Sequence, residues 1–522
     1  MIHSYRRRVM VDWDLNMLIN KRLIMVGLGC LLLPCHPAFS REVNPGDDLQ
    51  AVLNRGDDLV LAKGKMYEIT QTLTCKKPGQ KIYTKNARFP SEYATLRLVN
   101  PEEMMILNAS CEGGLIEKVV FDGDRYHISV VPKPKIGGGG QPALVRFGGH
   151  GGDGMAVRDC VFMNTRTWST LKMQQGAEKL VAENNLFLGA GVDPRGNGRD
   201  LNEEPFAWAD AISCASSNSV IRNNLIIDPT DVGVVLYAAA GTVVEDNVVA
   251  AISRESMGGV NMVDKYQLYA LNEEKTLISY RGVKVRNNMI DAFGGRIHMM
   301  LPVGCVVWVP HWRGNILTGG EVTGNILDGG AGGYGIVAHG ITDWKIIGNI
   351  SKATYSGLAE YGEHPNPPDD PAAFLYDAPS VIDCTLQPEF VPAKRHIEHL
   401  LRTQFAPEDA NGYQMHDYGE PEGIAVVKAA YLEMLGRAPN RQEVAEGIKL
   451  LASRKLNADG LRRQLMTGVE FKKYFGEVEP EELHPFRVKL WFDICDKLIR
   501  KNGGMPSAVT LYKEALDELG NK

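Results

Sequence analysis

The sequence predicts a mainly β protein, a solenoid of short strands followed by a C-terminal all-α domain. Three observations predict it. Asparagine returns between short β-branched runs at Asn185, Asn224, Asn247, Asn288, Asn325 and Asn349, at spacings of 39, 23, 41, 37 and 24 residues. The runs themselves, VIRNNLII and VVEDNVVA among them, carry no helical periodicity. Past residue 422 the pattern changes, and Ile424, Val427, Tyr431 and Met434 form an apolar stripe at helical spacing.

Residues 1–40 read as a secretory signal peptide. Lys21 and Arg22 precede the apolar run LIMVGLGCLLLPC, and Ala38 and Ser40 supply small residues for cleavage, with Met17 as an alternative start. The run is too short to span a bilayer, and no later apolar stretch reaches 18 residues. The expected location is therefore secreted, periplasmic or cell-surface.

Residues 41–362 are the solenoid. The shortest Asn intervals define a unit of 23–25 residues, the longer ones are that unit with insertions, and Cys160 extends the series 25 residues upstream. Stacked coils place equivalent residues about 4.8 Å apart. Each Asn should then lie over the next, adopt left-handed dihedrals at a turn and share amide hydrogen bonds along the stack. Residues 363–422, with EHPNPPDDPAA and TLQPEFVPA, read as a Pro-rich linker or strap. Residues 423–522 are expected to form a separable helical domain. Gly436 can end its first helix, and Asn440 with Glu443 and Thr467 with Glu470 fit capping boxes.

Composition narrows the function. A net charge of −6 over 522 residues gives no electrostatic case for nucleic acid. Seven of the nine cysteines lie outside the leader, none in a CxxC pair, so they read as small buried residues and offer no metal framework.

The NNxI coils, preceded by NPGDDLQAVLNRGDDLVLAKGKMYEIT at 44–70, resemble the pectate-lyase-like superfamily over roughly residues 42–360. The resemblance implies a single-stranded right-handed parallel β-helix, a short helix capping its first coil, and an extended polysaccharide as partner along one face. Leu435 to Pro439 and Thr467 to Phe471 resemble the two signatures of a helical module of unknown function on secreted and surface-layer bacterial proteins. That likeness implies a cell-surface or assembly contact.

Aligning the strand that follows each Asn turn places Leu171, Ile212, Val234, Val260, Ile297 and Ile336 inward. The next residues, Lys172, Ser213, Val235, Asn261, His298 and Val337, then point outward, with Arg146 one coil earlier. Two residues further on the row reads Gln174, Ala215, Tyr237, Val263, Met300 and His339. Arg296 also faces out, Asp210 and Asp231 stand at the lip, and insertions at 191–208, 265–280 and 301–317 wall a groove. Trp312, in HWRG, is a candidate sugar-stacking residue.

Three readings follow. In β-elimination on a uronic-acid polymer, Arg146 and Lys172 neutralise the carboxylate, and either His298 or Tyr237 acts as base with the other as acid. Asn261, Arg296, Trp312 and His339 would hold substrate, and Asp210 with Asp231 are candidate Ca²⁺ ligands. In glycoside hydrolysis the Asp210–Asp231 pair does the work. RIH at 296–298 resembles the Arg-Ile-Lys of polygalacturonases, but that family's Asn-Thr-Asp, Asp-Asp and Gly-His-Gly are missing. The third reading is a non-catalytic glycan-binding surface protein. Against all three, the aspartates read equally as turn caps and the cations as solvating charges. No resident cofactor is indicated.

Overall fold

The computed structural model describes residues 42–128, 143–191, 209–263, 277–304, 316–357, 370–394, 420–453 and 455–520. The expected leader lies outside them. Among the described residues, three parallel sheets of 14, 11 and 10 strands run along the solenoid, and successive coils up to Ile350–Ser351 contribute a strand to each. This is a parallel β-helix. Its first coils are covered by α1 (Leu49–Arg55), which buries Leu49, Val52 and Leu53. Asp48 accepts from Ala51 N–H at its start (2.9 Å), and Gly56, with φ 88°, turns the chain out of it.

The asparagines form the predicted stack, at most 5% exposed. The Asn185 side-chain amide donates to Asn224 Oδ1, Asn224 to Asn247, Asn247 to Asn288, Asn288 to Asn325 and Asn325 to Asn349, each at 2.9 Å. Every one of these oxygens also accepts the backbone N–H of the preceding rung, and Cys160 N–H opens the series on Asn185 Oδ1 (3.0 Å). Gln387 closes it, accepting from the Asn349 side chain (3.2 Å) and backbone (3.0 Å). The left-handed backbone belongs to the residue before each rung. Asp159, Asn184, Asn223, Asp246, Asn287, Gly324 and Gly348 carry φ between 51° and 67°. The two roles expected of one Asn are thus divided between neighbours: the first residue turns the chain, which aims the second inward.

The solenoid does not stop at residue 362. Phe374–Tyr376 pairs with the strand Gly332–Ala338, Val391–Pro392 pairs with Phe374–Tyr376, and Val381–Ile382 and Thr385–Leu386 pair with Ile341–Ile347. Residues 370–394 of the stretch read as a Pro-rich linker supply further strands, because Pro371, Pro379, Pro388 and Pro392 fall between or at the ends of short strands where no ladder N–H is needed.

The C-terminal region is helical: α2 (Glu420–Leu435), α3 (Arg441–Ala452), α4 (Ala458–Met466), α5 (Val469–Phe475), α6 (Leu483–Lys501) and α7 (Ala508–Leu519). Gly436 follows α2 with φ 64°, and the Asn440–Glu443 capping box opens α3. The box expected at Thr467 is absent. Gly468 is the N-cap of α5, Thr467 Oγ1 donates to Gln464 O (2.7 Å), and Glu470 instead binds Arg437 Nε (2.6 Å). Arg437 binds Glu443 as well (2.7 and 2.8 Å), so the two sequence signatures of this region meet at one guanidinium.

The helices were expected to be separable, but they pack against the solenoid, and Ser40–Lys522 is one compact unit. Leu186, Leu225, Val248 and Met289 stack on the outer face of the 10-stranded sheet and share a hydrophobic cluster with Trp491, Ile494, Leu498, Leu511 and Ala515 of α6 and α7. Charges seal the seam. Arg487 binds Asp228 (2.5 Å), Arg296 binds Glu422 of α2 (2.6 Å), and Arg462, paired within the helices with Glu433 (2.8 Å) where both side chains are fully buried, donates across the seam to Ile252 O (3.2 Å).

Candidate functional site

The outer face of the 11-stranded sheet is the predicted groove floor, and its register settles which residues share a row. Asn108, Arg146, Lys172, Ser213, Val235 and Asn261 stand in successive coils. The next member is Pro302, followed by Val337, because Gly258 pairs with Met299, Met262 with Val303 and Pro302 with Val337. His298 and Met300 therefore do not belong where the sequence alignment put them. Ile297 pairs with Ser256 and Gly332, and the residue level with Val260 is Leu301. The alignment slipped by four residues because IHMMLPV offers several apolar side chains and the groove strand in this coil starts early.

Asp210 opens the strand Asp210–Cys214, and Asp231 immediately precedes Val232–Tyr237 in the next coil. Ser213 Oγ donates to Asp210 Oδ2 (2.6 Å) and is itself linked to Ser169 Oγ (2.6 Å). The backbone carbonyl of Asp231 accepts from Met257 N–H (2.8 Å), Gly258 N–H (3.1 Å) and Ser256 Oγ (2.9 Å), which pins the residue through its main chain. Oδ1 of each aspartate is enclosed and accepts no hydrogen bond from the described residues.

The electrostatics join these groups into one centre. Burial pushes Asp210 up to about 7, against the Ser213 hydrogen bond and the attraction of Lys172. Asp231 is raised well above the usual range by burial and by the charge of Asp210. Lys172 is brought down to about 8 by burial and by Arg146, with Asp210 opposing, and burial also lowers Arg146. Two carboxyls that resist joint ionisation, with a lysine of lowered basicity nearby, are groups able to exchange protons near neutral pH.

The other predicted residues fall into separate places. Asn261 is fully buried in the row, with its amide against Gly258 and no hydrogen-bond partner among the described residues. Tyr237, half-buried, ends its strand beside Val235 and Val263, so it flanks the centre along the strand. His298 lies within 2.5 Å of Glu255 Oε1 and is 3% exposed, where a solvent-facing imidazole was expected. Arg296 is committed to Glu422 and Ser356 and is not free to bind substrate. His339 is buried near Asp377 (3.7 Å) in the last coils. Trp312 lies outside the described residues. Asp210 and Asp231 give a cation two carboxylates, and no group of three or more His, Cys, Asp or Glu side chains suited to a metal exists among the described residues.

Reading the sequence alone missed Ser169 and Glu255 and placed Ser213 in the outward row without a role. A signal was present: three consecutive coils bring a carboxylate, Asp210, Asp231 and Glu255, to the start of the groove strand.

No known protein family matches the chain, and no curated protein does. Solved structures that are similar include an alginate lyase from Paenibacillus sp. str. FPU-7, at 15% identity and a TM-score of 0.36, covering 60% of this chain and 94% of that one. Another is the tailspike protein of E. coli bacteriophage HK620 in complex with pentasaccharide, at 12% identity and a TM-score of 0.40, covering 67% of this chain and 62% of that one. Function has to be read from this chain's own side chains.

Proposed function

We propose that this protein binds an acidic polysaccharide along the 11-stranded face and hydrolyses it at the Asp210–Asp231 centre. The observation that carries the reading is the coupling of these two carboxyls beside Lys172. Between the two ionisations, one carboxyl keeps a proton to give to the glycosidic oxygen. The other, which Lys172 favours in its charged form, attacks the sugar or activates water. Arg146 and Lys172, both half-buried in adjacent coils, offer cations to carboxylates spaced along an extended chain. A leader in residues 1–40 fits a polymer met outside the cytoplasm.

A second reading keeps β-elimination and changes its base. His298 is away from the cationic row, but Lys172, held down to about 8, is an amine able to take a proton while Arg146 neutralises the adjacent carboxylate. Incubation with a panel of neutral and uronic-acid polysaccharides, with and without Ca²⁺, separates the readings. New reducing ends without ultraviolet absorbance mean hydrolysis, and an unsaturated-uronate absorbance means elimination. Binding with no cleavage of any polymer leaves a glycan-binding protein and overturns both.

A further inference from the structure

Cys75 ends the strand Leu73–Cys75 and pairs in register with Ala109 of the next coil. The chain then turns at Ser110, whose N–H donates to Cys75 O (2.9 Å), and this carries Cys111 back toward Cys75. The two thiols meet at 2.8 Å, Sγ to Sγ. They meet inside the solenoid, 3% and 0% exposed, with Met155 Sδ accepting from Cys111 N–H (3.2 Å) and Gln80 Oε1 at 3.8 Å from Cys111 Sγ. The other described cysteines make no such contact. Cys160 Sγ lies against the backbone oxygens of Arg158 and Ile116, Cys214 against Ser216, and Cys384 against Ile382 and Ile341.

We propose that Cys75 and Cys111 are joined by a disulfide when the chain folds in an oxidising compartment. A side-chain rotation that closes the remaining gap to about 2.05 Å makes the bond. The oxidant is a disulfide of the thiol-oxidoreductase or glutathione class. One cysteine thiolate attacks it and releases the first reduced thiol, the second cysteine resolves the mixed disulfide and releases the other, and the two cysteine protons leave with those thiols. The bond ties the first two coils together over 36 residues of sequence, beside Gln80, which holds the cap through Leu53 O (3.0 Å). A solenoid's terminal coils have a neighbour on one side only, so a cross-link there restrains the end where fraying would begin.

The test is the full chain exported to an oxidising bacterial periplasm, alkylated while unfolded without reductant, and digested with trypsin. The peptides Met66–Lys76 and Leu98–Lys118 should appear joined, lighter by two hydrogens than their sum, and should separate on reduction. Natively folded protein in which both peptides carry the alkyl group overturns the proposal, as does Cys75 bridged to any other cysteine. Cys75→Ser should leave Cys111 fully alkylated, and its unfolding midpoint should no longer respond to reductant. A wild-type midpoint that is equally indifferent overturns the restraining role.

Discussion

The three outer faces of one solenoid are built from the same backbone and do different work. On the 14-stranded sheet the outward row alternates in sign: Glu117, Arg158, Glu183, Arg222, Glu245, Arg286. Arg158 and Arg222 both reach Glu183 (2.7 and 2.5 Å), and Arg286 reaches Glu245 (2.7 Å). On the 10-stranded sheet the same position holds Leu186, Leu225, Val248 and Met289, and helices cover it. On the 11-stranded sheet it holds Arg146, Lys172, Ser213, Val235 and Asn261, which neither cancel one another's charge nor form one apolar surface. The lesson is chemical. A face that pairs its own charges can meet water, an apolar face needs a cover, and a face of mixed cationic, hydroxyl and amide groups has chemistry to offer a ligand.

The comparison breaks most visibly if the groove face proves inert. Asp231→Asn and Asp210→Asn should each lower turnover by at least about a hundredfold, the scale of losing a general acid or base. Near-native circular dichroism is expected for both, and full activity in both would move the site elsewhere.

Removing residues 420–522 should leave a chain that aggregates, because Leu186, Leu225, Val248 and Met289 would become a continuous exposed patch. Size-exclusion chromatography checks this, and a monodisperse, folded solenoid would show that the helices are an accessory. Within the seam, Trp491→Ala should cost about 3–5 kcal/mol in denaturant unfolding.

A rung of the Asn ladder should come next. Asn247→Ala strips the acceptor from two donors of Asn224 and leaves Asn288 Oδ1 and Ile221 O each without one donor, while the backbone N–H of residue 247 stays, so a loss of about 2–3 kcal/mol is expected.

The acidic pair gives a pH test whose sign is fixed. Asp210 moves from an ordinary value of 3.8 up to about 7 in the folded chain, and Asp291, buried against Tyr512, also reaches about 7. Both favour the folded state most fully below about 4, and that stabilisation fades as pH rises through about 7. Activity runs the other way, rising through about 7 as the Asp210–Asp231 pair loses its first proton and falling when it loses the second. Asp291→Asn should flatten part of the stability profile and leave the rate profile unchanged. The smallest effect belongs to the charged face, where Arg222→Ala should cost no more than about 1 kcal/mol and less at high salt.

How much of this was legible depends on whether one residue type served one purpose. The Asn ladder was readable because a buried amide tolerates few substitutes, so its spacing reports the coil directly. Asn440 with Glu443 announced a helix start for the same reason. The level of His298 was not readable, since any of Ile297, Met299, Met300 or Leu301 satisfies an apolar core and counting cannot choose among them. The helical cover was legible but unread. LFL, LII and VVA are apolar on both faces, which a strand facing water on one side does not need. Residues 370–394 were misjudged because proline was taken to end the repeat, although the last coil has a free edge that accepts it.

The Asn ladder is modular: each rung offers the same donor on one side and the same acceptor on the other, so nothing in it counts coils. The helical cover does count. It is anchored at one end where Asp496 accepts from Ser91 N–H (2.9 Å) and at the other where Tyr512 donates to Asp291 (2.9 Å) and Glu422 holds Arg296. Between those anchors a coil gained or lost would throw every contact out of step. The C-terminal helices therefore act as a ruler laid against an otherwise extensible column, and they hold constant the number of coils it presents on its other faces.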